Sequence, residues 1–97
     1  MPLPDGFVAV QARITGKVQG VWYRAWTEDE AKKRGLKGWV RNRRDGSVEA
    51  LFVGPEGKVD DMIKACHQGP AAAHVVGVTA EPCAESMPAD FHQLPTF

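Results

Sequence analysis

The earliest regular pattern along the chain is an alternation of apolar and polar positions over residues 7–15. The even-numbered positions from Val8 to Ile14 are apolar, whereas the odd-numbered positions from Gln11 to Thr15 are polar. A period of two residues with one polar side is typical of a strand in a sheet that is covered on one face only. The pattern therefore predicts a first strand, followed at Gly16 by a loop.

The period then becomes helical in two segments. The first, over residues 21–34, has an apolar stripe and three acid–base pairs four residues apart, and Gly35 suits a left-handed helix end. Its stripe consists of Trp22, Tyr23, Trp26 and Ala31. The second, from Pro55 or Glu56 to Gln68, spaces its apolar residues at i, i+3, i+4 and i+7. These residues are Val59, Met62, Ile63 and Cys66.

Further strands are expected between and after the helices. The segments 36–42 and 47–53 flank a turn containing Asp45-Gly46, a pair that favours a tight hairpin. Residues 74–81 predict a fourth strand, and we expect its face to carry Val76, Val78 and Ala80. The tail 91–97 is a weak candidate for an edge strand, because Pro95 cannot donate to a strand ladder.

The predicted order is β-α-β-β-α-β followed by the tail. This order is typical of a ferredoxin-like α+β sandwich. We expect an antiparallel sheet with both helices packed on one face, and a possible C-terminal edge strand. A length of 97 residues fits one domain, which we assign to residues 1–97.

Charge and cysteine content narrow the functional class. Twelve basic residues balance twelve acidic ones, so the overall field favours neither nucleic acid nor an anionic membrane. Two cysteines, Cys66 and Cys83, allow at most one disulfide bond, fewer than a small secreted domain needs. The first six residues do not resemble a signal peptide. No segment approaches the ~18 apolar residues of a membrane span. We therefore expect a cytoplasmic monomer without a nucleic-acid or membrane partner.

A glycine-punctuated loop over residues 16–21 precedes the first predicted helix. The first amides of a helix lack internal partners and carry partial positive charge, so a loop leading into them can hold a phosphate. Arg24 falls in the first helical turn, where its side chain leans back towards the loop. A guanidinium matches two phosphate oxygens at once. The spacing of Gly16 and Gly20 alone is a weak signal for such a site.

Simpler interpretations of these residues remain open on the pattern alone. Arg24 could be a surface residue paired with Glu28, and Asn42, at the end of the second strand, is a common strand-end residue. The other basic residues near the loop and the turn are expected to be solvated: Lys17, Arg41, Arg43 and Arg44. The histidines His67, His74 and His92 show no metal-ligand spacing, so we expect no metal site.

Three segments together resemble a known family. The run Gly16-Lys17-Val18-Gln19-Gly20-Val21-Trp22-Tyr23-Arg24 resembles the acylphosphatase signature, glycine-x-valine-glutamine-glycine-valine-x-aromatic-arginine. Residues 38–42 with 45–49 look like its second signature, and residues 69–78 are similar to a looser third block. The resemblance covers most of the chain in the correct order. It departs at Tyr23, where the family often has Phe, and in the tail, which matches the family's closing strand poorly.

The resemblance implies an enzyme that hydrolyses acyl phosphates to a carboxylate and inorganic phosphate without a cofactor. It implies that Arg24 binds the phosphoryl group with loop amides and that Asn42 positions the attacking water. The expected substrate-binding residues are Gly16, Lys17, Val18, Gln19, Gly20 and Val21. This chemistry suits so small a set of groups, because a carboxylate of pKa near ~4 leaves at neutral pH without a general acid.

Two functions other than hydrolysis are compatible with parts of the sequence. Ferredoxin-like sheets also bind RNA through aromatic side chains on the open face. The basic cluster Arg41–Arg44 would suit that role, but the exposed side of the first strand carries no aromatic residue, and the net charge is zero. A regulatory anion sensor is the second alternative, and the presence of both Arg24 and Asn42 argues against lost catalysis.

Overall fold

The computed structural model describes residues 3–83 and 87–97. Its helices and strands follow the predicted order closely. The elements are β1 (Phe7–Lys17), α1 (Tyr23–Lys33), β2 (Lys37–Asn42), β3 (Val48–Pro55), α2 (Glu56–Gln68), β4 (His74–Pro82) and β5 (Phe91–Gln93). This is the ferredoxin-like α+β arrangement that the sequence predicts.

The five strands form one sheet in the order β4-β1-β3-β2-β5. The pairs among β1 to β4 are antiparallel, as expected, whereas β5 runs parallel to β2. The sheet is therefore mixed, and the doubtful fifth strand forms. Pro95 does not prevent it, because the donors lie on either side: the amides of Leu94 and Phe97 donate to the carbonyls of Val40 and Asn42 at 2.9 and 3.0 Å.

The first strand is longer than the alternation predicts, because it continues through a β-bulge. The register with β4 shifts between Thr15 and Gly16, so Gly16 and Lys17 belong to β1 and not to the following loop. A Cβ atom at Gly16 would collide with the carbonyl of His74, which explains the glycine by close backbone approach. Val76 is left without a register partner at the bulge and is 76% exposed, so its expected place on a face with Val78 is wrong.

Both helices pack on the same face of the sheet, which the even-numbered apolar positions of β1 line. Helix α1 packs on β2 and β5, and α2 packs on β1, β3 and β4. The predicted α2 stripe is confirmed, since Val59, Met62 and Cys66 are buried and Ile63 packs against the core. In α1, Tyr23 and Ala31 are buried as expected.

The tyrosine at the family's usual Phe position has a structural role that the sequence did not indicate. Its ring is buried, and its hydroxyl donates to the backbone carbonyl of Cys66 at 2.7 Å. That carbonyl lies in the last turn of α2, where backbone acceptors lack helical partners. The hydroxyl of Tyr23 thus joins α1 to the end of α2. Burial is the main cause that raises its pKa.

The helix-free face carries a polar cluster around Glu49 on β3. Its side chain is only 5% exposed, and it accepts from Arg41 at 2.7 Å, Arg43 at 3.2 Å and Gln11 at 2.6 Å, with Arg13 at 3.7 Å. The expectation that Arg41 and Arg43 are solvated is therefore wrong. Both guanidiniums also lie over the ring of Phe97. The cluster is possible because β1, β2 and β3 are neighbours in the sheet.

Candidate active site

The loop between β1 and α1 spans residues 18–22 and is braced by one of its own side chains. The Nε2 of Gln19 donates to the carbonyls of Arg43 and Ser47 at 2.7 and 2.8 Å. These two carbonyls belong to the turn between β2 and β3, directly after Asn42. The brace holds the loop against the end of β2.

The amides at this junction have no protein acceptor. In the described part of the chain, the N–H groups of residues 18–21 donate to no backbone or side-chain atom. The first backbone bond of α1 runs from the amide of Trp26 to the carbonyl of Trp22, so the amides of residues 23–25 precede the helical ladder. No side chain caps this helix end. The junction therefore offers donors and the positive end of a helix dipole to an anion.

The loop reaches the helix through two residues with unusual backbone conformations, Gly20 and Trp22, on either side of Val21. Gly20 has φ 73°, which glycine adopts freely. Trp22 has φ 66° and ψ 20°, a left-handed conformation that costs a non-glycine residue on the order of 1 kcal/mol. Its indole is 82% exposed, so it does not join the core stripe that the helical spacing predicts.

A cavity of about 430 Å³ brings the two predicted catalytic side chains together. Its lining residues come from the loop, the start of α1, the end of β2 and β5. They are Val18, Gly20, Trp22, Tyr23, Arg24, Ala25, Asn42 and Gln93. Residues far apart in the sequence meet here because β2 ends beside the start of α1.

Arg24 lies in this cavity without a partner for its charge. Within residues 3–83 and 87–97, its guanidinium forms no hydrogen bond or ion pair. The alternative pairing with Glu28 is not formed. Glu28 instead accepts hydrogen bonds from Gln93 and Lys32, both at 2.9 Å. The bond from Gln93 is the main cause that lowers the pKa of Glu28, and the bond from Lys32 is the second. The guanidinium is available for an anion.

Asn42 occupies the last position of β2, where its backbone is held on both sides. It is the register partner of Val48 in β3, and its carbonyl accepts from the amide of Phe97 at 3.0 Å. Its side-chain Oδ1 is buried and has no hydrogen-bond partner in the described structure. An unsatisfied buried acceptor costs about 1–3 kcal/mol, which makes Asn42 a candidate for contact with a ligand.

The six predicted loop residues divide into four groups. Val18 and Gly20 line the cavity, Gly16 and Lys17 are the last residues of β1, and Val21 is buried in the core. Gln19 acts through its side-chain brace. The sequence reasoning did not assign Trp22 or Gln93 to the site. The helical spacing favours a position in the core or at its rim for Trp22, and only the pairing of β5 with β2 brings Gln93 to the site.

Other chemistry receives little support from the described residues. Among residues 3–83 and 87–97, no three His, Cys, Asp or Glu side chains converge as metal ligands would. Cys66 is buried in the core, and burial raises the pKa of its thiol to about 12, so it is not a nucleophile at neutral pH. None of the helices in the described segments has the length and apolarity needed to cross a lipid bilayer.

Comparison with known proteins agrees with this geometry. A family model described as Acylphosphatase matches residues 10–93. An acylphosphatase of Rhodospirillum rubrum is 55% identical over 84 residues, covering 87% of this chain and 92% of the relative. The solved acylphosphatase of Coxiella burnetii superposes with a TM-score of 0.89 at 28% identity, covering 92% and 94% of the two chains. That of Bacillus subtilis gives 0.84 at 32% identity, covering 90% and 98%.

Proposed function

The chain belongs to the acylphosphatase family and hydrolyses acyl phosphates, and from this premise we propose how its own residues perform the reaction. The phosphoryl group lies at the start of α1, held by the loop amides and Arg24. The attacking water lies at Asn42. The observation that carries the proposal is that Asn42, whose buried Oδ1 has no hydrogen-bond partner in the described structure, lines the same cavity as Arg24.

Arg24 and the loop amides bind and stabilise the phosphoryl group. During in-line transfer, charge is spread over the equatorial phosphoryl oxygens, and preorganised donors aimed at them lower the barrier. The guanidinium supplies a planar pair of donors, and the amides of residues 18–21 supply further ones. Support comes from the absence of competing acceptors for these groups in the described structure.

Asn42 orients the water through its carbonyl oxygen. Oδ1 is an acceptor, so it takes one hydrogen of the water and directs a lone pair of the water oxygen away from the amide. A neutral amide is too weak a base to remove the proton, and we assign that role to a phosphoryl oxygen of the substrate. The water oxygen bonds to phosphorus as the bond to the acyl oxygen breaks. The products are inorganic phosphate, which retains the proton, and a carboxylate.

Neither a cofactor nor a general acid has a step in this scheme. The leaving carboxylate has a conjugate acid of pKa near ~4 and departs unprotonated at neutral pH. We expect full activity after treatment with EDTA. We also propose that the enzyme works as a cytoplasmic monomer without nucleic acid, as its balanced charge indicates.

The division of roles is tested by inorganic phosphate, a product that competes for the phosphoryl site. With benzoyl phosphate as substrate, Arg24→Ala should abolish both competitive inhibition by phosphate and turnover. Asn42→Ala should lower kcat while the inhibition constant of phosphate stays near the wild-type value. An Arg24→Ala enzyme that still turns over, or an Asn42→Ala enzyme that loses phosphate binding with kcat intact, contradicts the assignment.

A further inference from the structure

Trp22 has three properties that phosphate binding does not explain. Its side chain is 82% exposed, its backbone is left-handed, and it lines the cavity that contains Arg24 and Asn42. Strained backbone at a functional cavity is a reason to look for a function of the residue that adopts it. Glycine would satisfy the turn without this strain, so the indole itself requires an explanation.

Exposure of an apolar side chain does not by itself indicate a function, as Val76 shows. Val76 is 76% exposed, and the β-bulge beside Gly16 accounts for it, because the extra residue of a bulge has no partner across the ladder. No such packing reason applies to Trp22. It is the residue from which α1 starts, between the loop amides and Arg24.

The substrate itself requires a place for its acyl group near this position. An acyl carbon is joined to phosphorus through a single bridging oxygen, so the acyl group begins within a few ångströms of the bound phosphoryl group. With the phosphoryl group at the loop amides and Arg24, the acyl group extends along the cavity wall towards its mouth. Trp22 supplies the large aromatic surface of that wall with an exposed face.

We propose that the indole of Trp22 is the binding surface for the acyl group and makes the enzyme prefer acyl phosphates with a flat, apolar acyl group over those with a short aliphatic one. The inference rests on the proposed phosphoryl site. Stacked and edge-to-face aromatic pairs stabilise beyond the area that they bury. The contact forms equally with bound substrate and with the transition state, so it acts mainly on KM.

The test compares benzoyl phosphate with acetyl phosphate in two variants of Trp22. Trp22→Asn keeps a residue that tolerates the left-handed conformation but removes the aromatic surface. We expect its ratio of kcat/KM for benzoyl over acetyl phosphate to fall about fivefold, mainly through a higher KM for benzoyl phosphate. Trp22→Phe should restore most of the ratio. Val76→Ala, which shortens an equally exposed side chain elsewhere, should leave the ratio within about twofold of wild type.

Two results would overturn the acyl-binding role. If Trp22→Asn lowers kcat/KM equally for both substrates, the residue only shapes the loop; if kcat/KM changes for neither substrate, the indole does not contact the acyl group. Arg24→Ala measured in parallel separates these results from failure of the phosphoryl site. An active Arg24→Ala enzyme rejects the phosphoryl site, whereas an inactive one beside an unchanged Trp22→Asn ratio rejects the acyl-binding role alone.

Discussion

The molecule contains two polar clusters built from similar residues, and they differ in whether their groups are paired. On the open face of the sheet, Glu49 accepts from Arg41, Arg43 and Gln11 beside a hollow of about 330 Å³. At the start of α1, Arg24 and the Oδ1 of Asn42 share a cavity and contact no partner in the described structure.

This difference separates stability from binding. The Glu49 cluster has already used its donors and acceptors, so its charges hold three neighbouring strands together and leave little for a ligand. The cavity at α1 leaves a buried acceptor unsatisfied, which weakens the folded state, and it leaves a guanidinium and several amides without a protein partner in the described structure. Functional sites commonly lower stability in this way. A charged cluster is therefore judged by its unpaired groups, and not by its charge alone.

Replacing Arg24 should produce the largest separation between the two clusters. Loss of the guanidinium removes a donor pair from the transferred phosphoryl group, and Arg24→Ala should lower kcat/KM for benzoyl phosphate by about 10³-fold or more. Since the side chain has no partner among the described residues, the unfolding free energy should change by less than about 0.5 kcal/mol. Urea denaturation beside the kinetic assay checks both values.

Arg44→Ala is the matched control, because Arg44 is an exposed arginine on the turn after Asn42. It should keep near-normal kcat/KM. A comparable loss in both variants would show that general charge, and not the position of Arg24, drives binding.

Asn42→Ala should give the next largest effect. Losing one oriented contact to the attacking water should reduce kcat by about 10²-fold. Thermal stability should stay constant or rise slightly, because the substitution removes an unsatisfied buried acceptor. Differential scanning calorimetry with steady-state kinetics tests the pair of outcomes, and a clear fall in Tm with kcat intact would assign Asn42 to structure.

Glu49→Gln should reverse this pattern. Removing the carboxylate charge leaves the positive charges of Arg41 and Arg43 close together, with only a neutral amide oxygen as their shared acceptor. We expect a loss of about 2 kcal/mol in unfolding free energy. The kcat of the folded enzyme should remain within about twofold of wild type. A large loss of kcat with unchanged stability would show that the open face of the sheet takes part in catalysis.

The smallest expected effect is the pH dependence of the stability that the Glu49 carboxylate provides. Burial acts to raise the pKa of Glu49, but the hydrogen bond and charge of Arg41, with help from Gln11 and Arg43, hold the pKa below its ordinary value. The unfolded chain therefore takes up this proton first as pH falls. The contribution of the ionised Glu49 carboxylate to the free energy of unfolding is complete above about pH 5. It is lost as the pH falls below about 4.3 and through the pKa of Glu49 in the folded state.

Urea denaturation between pH 7 and pH 3 measures this contribution. The stability difference between wild type and Glu49→Gln should shrink towards the acid end of the series. A difference that stays constant over the whole range would mean that the charge of Glu49 contributes nothing to stability.

Much of the fold and the core of the site could be predicted from the sequence. The alternation over residues 7–15 identifies the covered face of β1, and the spacing of Val59 to Cys66 identifies the buried stripe of α2. Local periodicity suffices for these, because each element buries one face. The meeting of Arg24 and Asn42 in one cavity was also predicted, through the resemblance in motif order.

Several features depended on neighbours that no local pattern encodes. The bulge at Gly16 lengthens β1 and exposes Val76, and it exists only against β4. Glu49 is paired because β1 and β2 flank β3. The helical spacing favours a position in the core or at its rim for Trp22, but the left-handed backbone before α1 leaves its side chain largely exposed.

The order of elements, the covered faces of β1 and α2, and the residue types at the proposed phosphoryl site all follow from the amino-acid sequence. Which polar groups are satisfied depends on the folded chain: in the described structure the carboxylate of Glu49 has partners, and the Oδ1 of Asn42 has none. The physical reason is that periodicity is a property of one segment, whereas a hydrogen bond needs two. Its partner, present or absent, is set by strands and loops that are distant in the chain and adjacent in the sheet.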